Sequence, residues 1–200
     1  MLDTAATTFL LVMLVFVAIG VLSMRRKAAS VDDYLTASSQ VPAWLVGLSA
    51  VATNNSGYMF IGLIGFTFVE GISAAWLAFG WLAGDLLAWY TIHPAVRRFS
   101  EAHPVNTVPA LIAHRGERGG GALRVVAGVL VIAFLAVYAA AQLMAGGKVL
   151  NVVFDWPPWL GIIGGAVVVL VYSFAGGLRA SIWTDAAQSF VMLFGMLALL

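Results

Sequence analysis

Between Tyr34 and Val69 the chain carries no charged residue. A straight helix rises about 1.5 Å per residue and crosses bilayer hydrocarbon in about 20 residues. This stretch is therefore too long for one simple span and too apolar for a surface in water. The rest of the sequence has the same character. Of 200 residues, 62% are hydrophobic and 10% are charged, against about 25% charged in a soluble domain. The apolar residues come in long runs rather than at an amphipathic period. In hydrocarbon every backbone N–H and C=O must be bonded internally, which selects helices. The 21 glycines suit close helix approach in lipid. Together these features predict an all-α polytopic membrane protein.

The apolar runs predict six spans. Helix 1 covers about 5–24, helix 2 lies within 41–69, and helix 3 covers about 71–92. A polar connection, 93–124, follows, with prolines, arginines and the run Gly119-Gly120-Gly121. Helix 4 covers about 125–147, a turn 151–158 leads to helix 5 at about 159–174, and helix 6 begins near Ser181. Helix 6 is still apolar at Leu200, so the sequence reads as part of a longer protein. The N-terminus has no basic region ahead of its first apolar run, and Arg25-Arg26-Lys27 come after that run. It reads as a retained helix rather than a signal peptide. With six alternating spans, Arg25, Arg26, Lys27, Arg97, Arg98, Arg115, Arg118, Arg124 and Arg179 share one side, and Lys148 lies at the other. The positive-inside rule makes the first side cytoplasmic and the N-terminus external.

Several function classes find no support. Cysteine is absent, which removes disulfides, thiolate nucleophiles and Cys-based metal sites. His93, His103 and His114 fall in or beside one polar connection without zinc-site spacing. There is no basic tract for nucleic acid, and no nucleophile or paired-carboxylate constellation for an enzyme. Trp156 and Trp159 flank Pro157-Pro158 and read as interfacial anchors.

The chemistry concentrates in the uncharged stretch. Thr53, Asn54, Asn55, Ser56 and Gly57 form a polar, helix-breaking cluster near its middle. Asn and Ser compete with helical bonding, and Gly favours irregular backbone. In a membrane such a cluster is tolerated against protein or a wet cavity. It serves either interhelical hydrogen bonding or a broken helix whose carbonyls face a cation. Two acids stand at or near membrane depth. Asp85 is a candidate coupling acid, and Asp185 is expected to cap helix 6 or to form a structural ion pair.

Three stretches carry a family resemblance. The first is Asp32-Asp33-Tyr34-Leu35 with Ser49-Ala50 and Ser56-Gly57. The second is Thr107-Val108-Pro109 with Arg115. The third runs from Tyr172 through Gly176-Gly177, Arg179 and Thr184-Asp185 to Gln188. Over about residues 30–200 the chain resembles the sodium:solute symporter family, and its bacterial sodium/proline branch in particular. The resemblance implies a LeuT-like core of two inverted five-helix repeats, with helix 1 outside it and the first repeat at about 41–200. It implies Na⁺ held by the carbonyls of Ala52 and Asn55, with hydroxyl ligands on a later helix. It also implies a pathway lined by Asn54, Ser56, Gly57 and Tyr138; Gln142 follows Tyr138 one helical turn on. The chain carries Asn54 where the proline branch has Asp and sugar-transporting branches have Asn, and Ser39 where the proline branch has Arg. The implied activity is Na⁺-coupled uptake of a small organic solute, such as proline or another amino acid, across a bacterial plasma membrane. Na⁺ is then the coupling ion and no cofactor is required. The alternative is a symporter-like sensor module of a histidine kinase.

Overall fold

The computed structural model describes residues 4–23, 25, 30–103, 105–114 and 120–199. Among these residues every regular element is helical. In chain order they are α1 (Thr4–Ser23), α2 (Val31–Thr36), α3 (Ala43–Asn54), α4 (Leu63–Glu70), α5 (Ala75–Ala102), α6 (Val108–His114), α7 (Gly120–Phe154) and α8 (Pro158–Leu199). Among the described residues, four stretches are long and apolar enough to cross a membrane: Thr4–Ser23, Leu63–Ala102, Gly120–Phe154 and Pro158–Ala198. Phe68, Ile72 and Tyr90 are more than four-fifths exposed. Surfaces like these suit hydrocarbon or neighbouring helices rather than water.

The chain divides into two compact units, Met1–Gly57 with Ala141–Leu200, and Tyr58–Ala140. In the first, α8 is the organising element and packs against α1, α2 and α3. It is interrupted at Gly177, whose φ of 58° and ψ of −145° are not helical. The chain folds back there. A Cβ on Gly20 of α1 would lie 2.6 Å from Tyr172 Cβ and 3.4 Å from Thr184 Oγ1. In a straight helix those two residues would stand about 18 Å apart. The break falls between the expected helices 5 and 6 and leaves arms of 158–176 and 178–199, each close to the roughly 20 residues of one span.

Small residues set the spacing of this unit. Gly147 on α7 and Gly161 on α8 approach so closely that a Cβ on Gly161 would lie 2.8 Å from Gly147 Cα. Their helices join through a tight corner at 155–157, where Asp155 has φ 55° and Asn151 donates to the Trp156 carbonyl at 2.9 Å. Trp156 packs with Phe9 and Phe154 at ring-centroid distances of 6.3 and 5.2 Å. That is an aromatic cluster rather than a free side chain; Trp159 is 57% exposed. On the other side of α8, Leu45 of α3 packs with Ile182 and Ala186 in a small buried core.

The second unit departs from expectation at 93–124. That segment is not one polar connection: α5 continues to Ala102, α6 occupies Val108–His114, and α7 already starts at Gly120. Pro94 lies inside α5. It deletes one donor, but the turns beyond it are supported by Arg97 paired with Glu101 at 2.9 Å and by Arg98 Nε donating to the Pro94 carbonyl. The rings of Phe99, His103 and His114 cluster where α5 ends and α6 lies: Phe99 stacks on His103, His114 meets Phe99 edge-on, and the two imidazoles are 4.4 Å apart. Among the described residues no three His, Cys, Asp or Glu side chains gather as a metal site. Arg26, Lys27, Arg115, Arg118 and Gly119 lie outside the described residues, as does the side chain of Ser39.

Candidate functional site

The polar cluster does break the helix. α3 ends at Asn54, and Asn55 turns out of the ladder at φ −81°, ψ 93°. Ser56 is non-helical too, and the chain resumes as a π-helical turn at Tyr58–Gly62 before α4. π turns are wide and often accompany functional sites. A helix end leaves its last carbonyls without intrahelical donors. Here the Val51 carbonyl accepts both the Asn55 N–H, at 3.2 Å, and the Asn55 side-chain amide, at 3.0 Å. The next carbonyl is that of Ala52. Thr53 turns its hydroxyl back to the Ser49 carbonyl at 2.9 Å, so it does not face the gap. Ala52 and Asn55 thus bracket the end of α3, and their carbonyls are hard oxygen donors of the kind a Na⁺ ion takes.

Gly57 closes the break. Its N–H donates to Gln142 Oε1 of α7 at 2.6 Å. A Cβ on Gly57 would sit 2.6 Å from Ala145 Cβ and 3.1 Å from Gln142 Oε1. The backbone rests directly on α7, and the amide that the break exposes is bonded by a side chain one turn away from its steric stop. Gln142 is therefore joined to the break. Tyr138 is not among the residues gathered here: it belongs to the other compact unit and is 49% exposed. Asp85 also belongs to that unit, part-buried on α5. Asn54 is exposed at the last position of α3, and Ser56 is part-buried in the gap.

Among the described residues Asp185 is neither a helix cap nor half of an ion pair. It lies inside the second arm of α8, well past the Gly177 break, and its Oδ2 accepts hydroxyls from Ser49 of α3 at 2.9 Å and Ser181 at 3.2 Å. The reason is register: residues 181 and 185 share a helical face, and α3 presents Ser49 to that face. Ser189 extends the seam by donating to the Leu48 carbonyl at 2.6 Å. Thr184, fully buried, donates to the Ala180 carbonyl.

Arg179 is a second correction. Counted with the loop cations, it is in fact 8% exposed, and its Nη2 reaches Asp33 Oδ1 at 2.6 Å and the Ala37 carbonyl at 3.0 Å. Ser38 donates to the same Asp33 oxygen at 2.7 Å. Sequence reasoning gave Asp33, Tyr34, Ser49 and Arg179 no part in a site. The signal was nonetheless visible: all four fall within the first and third motif stretches, and the fold brings those stretches together across α8.

A family model described as the sodium:solute symporter family matches residues 34–200. The chain is 28% identical over 191 residues to the sodium/proline symporter of Salmonella typhimurium, covering 95% of this chain and 38% of that protein. It is 27% identical over 184 residues to the sodium/proline symporter of Staphylococcus aureus strain JH9, covering 92% of this chain and 36% of that protein. The chain thus spans a little over a third of the length of these relatives. No solved structure matches it. The apolar helical stretches make it a multi-pass membrane protein, and with the family model matching most of its length, the chain belongs to the sodium:solute symporter family.

Proposed function

We propose that the full-length protein couples Na⁺ entry to the uptake of a small organic solute, and that the break after α3 supplies part of the Na⁺ site. The observation that carries this reading is an uncharged helix that stops at Asn54, with Gly57 held by Gln142. A cation that sheds water needs replacement oxygens, and the carbonyls of Ala52 and Asn55 are offered without a competing charge. Gly57 fixes the backbone that aims them. Asn54 and Ser56 border the gap, and Tyr138 lies one turn from Gln142 along α7, on the path to the solute. No step in this reading makes or breaks a covalent bond, so the protein is a transporter and not an enzyme.

In the same reading, residues 41–200 form the first repeat of a LeuT-like core, with helix 1 outside it. The N-terminus lies outside the cell, and the 93–124 segment is cytoplasmic. The two relatives described above are named for proline, so proline is the first solute to test, with other amino acids next. The experiment is uptake of labelled solute by the full-length protein in proteoliposomes under an imposed Na⁺ gradient. Accumulation that depends on inward Na⁺ is expected. Accumulation equal in Na⁺ and K⁺, or driven by a proton gradient alone, overturns the reading.

A further inference from the structure

The two neighbours Asp33 and Tyr34 grip opposite sides of the Gly177 break. Tyr34 reaches back to the first arm of α8, its hydroxyl donating to the Ser173 carbonyl at 3.1 Å. Asp33 reaches forward to the second arm and pairs with Arg179. Between these grips the Tyr34 backbone and ring lie on Gly177 itself, where a Cβ would stand 2.7 Å from Tyr34 Cδ2. The short helix α2 is a clasp across the hinge of α8. What it governs follows from the rest of the packing. The second arm carries α3 through Ser49–Asp185, Ser189–Leu48 and the Leu45 core. α1 lies against both arms, with Gly20 beside Tyr172 of the first and Thr184 of the second. The angle at Gly177 therefore sets where the broken end of α3 stands relative to the first arm.

The clasp is also incompletely satisfied. One nitrogen of Arg179 makes both of its bonds, so the two-pronged fork of a guanidinium is not used. Its Nε is buried and makes no hydrogen bond among the described residues. The corner after α2 holds two consecutive non-glycine residues in the left-handed region, Ala37 at φ 52° and Ser38 at φ 51°. Such residues persist only where surrounding contacts hold them, and they collect at switching elements. A buried charge pair left partly unsatisfied contributes little to stability, yet keeping either charge buried without the other is costly, so the two stay together or leave the buried site together. Those are the properties of a contact with two discrete settings.

We infer that Asp33 and Arg179 are positioning residues for transport: their pair latches α2 across the Gly177 hinge in one conformation and releases it in the other, moving α3 and its broken end. This rests on the transport reading above. The test uses the full-length protein in bilayer nanodiscs, cleared of other cysteines and spin-labelled at Trp159→Cys and Phe194→Cys. These exposed positions lie one on each arm, and their separation is read by double electron–electron resonance. Asp33→Asn and Arg179→Gln should each shift the ratio of the distance populations by about tenfold. The exchange of Asp33→Arg with Arg179→Asp should move the ratio back toward wild type. Tyr34→Phe loses one hydrogen bond, is expected to fold, and should shift the ratio the same way by less. A distribution unchanged in Tyr34→Phe and in every folded charge variant overturns the latch, as does a folded exchange variant that stays with the single variants. Na⁺ coupling is read separately, by comparing wild type in Na⁺ and K⁺. If wild type ignores Na⁺ while the variants shift, the latch stands and the coupling falls. If wild type responds to Na⁺ while the variants match it, the reverse holds.

Discussion

Gly177 and Gly71 adopt nearly the same backbone, φ 58° with ψ −145° and φ 63° with ψ −141°. This region is essentially closed to residues with a Cβ. Their surroundings differ: a Cβ on Gly177 meets Tyr34, whereas one on Gly71 meets nothing within 4 Å. Gly71→Ala should therefore cost only backbone strain, about 1–3 kcal/mol, and Gly177→Ala clearly more. Thermal unfolding of both variants in detergent checks the order; equal midpoints would mean that the Tyr34 contact does not matter. Gly57 is limited by space rather than by φ. Gly57→Val should reduce Na⁺-driven uptake by about tenfold or more, because the carbonyl geometry would be lost. Asn54→Ala should instead raise the Na⁺ concentration needed for half-maximal uptake. Reduced protein amount with an unaltered Na⁺ dependence in both variants would leave these residues a packing role only.

Among the elements, the α3 break was legible and its seat was not. Asn54, Asn55, Ser56 and Gly57 announce a break by their local chemistry, which needs no partner to be read. That Gln142 would bond the Gly57 amide depends on how α7 lies against α3, and one sequence does not contain that relation. Pro94 misleads for the opposite reason: a proline signals an end, but the Arg97–Glu101 pair and the Arg98 bond keep the helix going beyond it. Arg179 reads as a loop cation until its acid, 146 residues away in sequence, is placed beside it. The α3–α8 seam makes a prediction of its own. In a double-mutant cycle, Ser49→Ala and Asp185→Asn should couple by about 0.5–1.5 kcal/mol, the range for hydrogen bonds between membrane helices. Coupling near zero would mean that Asp185 is held by Ser181 alone.

At the scale of the whole molecule, the basic residues predict sidedness. Single cysteines placed at Arg97 or Arg98 should resist an impermeant thiol reagent in intact cells and react in inverted vesicles. Ready labelling in intact cells would reverse the topology. The all-helical architecture was readable from composition and run length, because hydrocarbon leaves the backbone few choices. The number of crossings was harder to read, since it depends on single residues inside long helices. A stretch of 42 residues with one glycine in a mirror-image conformation is a question of parity. Left straight, it would be about 63 Å long, and its two ends would emerge on opposite sides of the bilayer. Folded at Gly177, with each arm crossing once, both ends would return to the same side. Reporter domains fused after position 156 and after position 199 should therefore report the same compartment. That single backbone angle decides whether the two ends of α8 face one compartment or two.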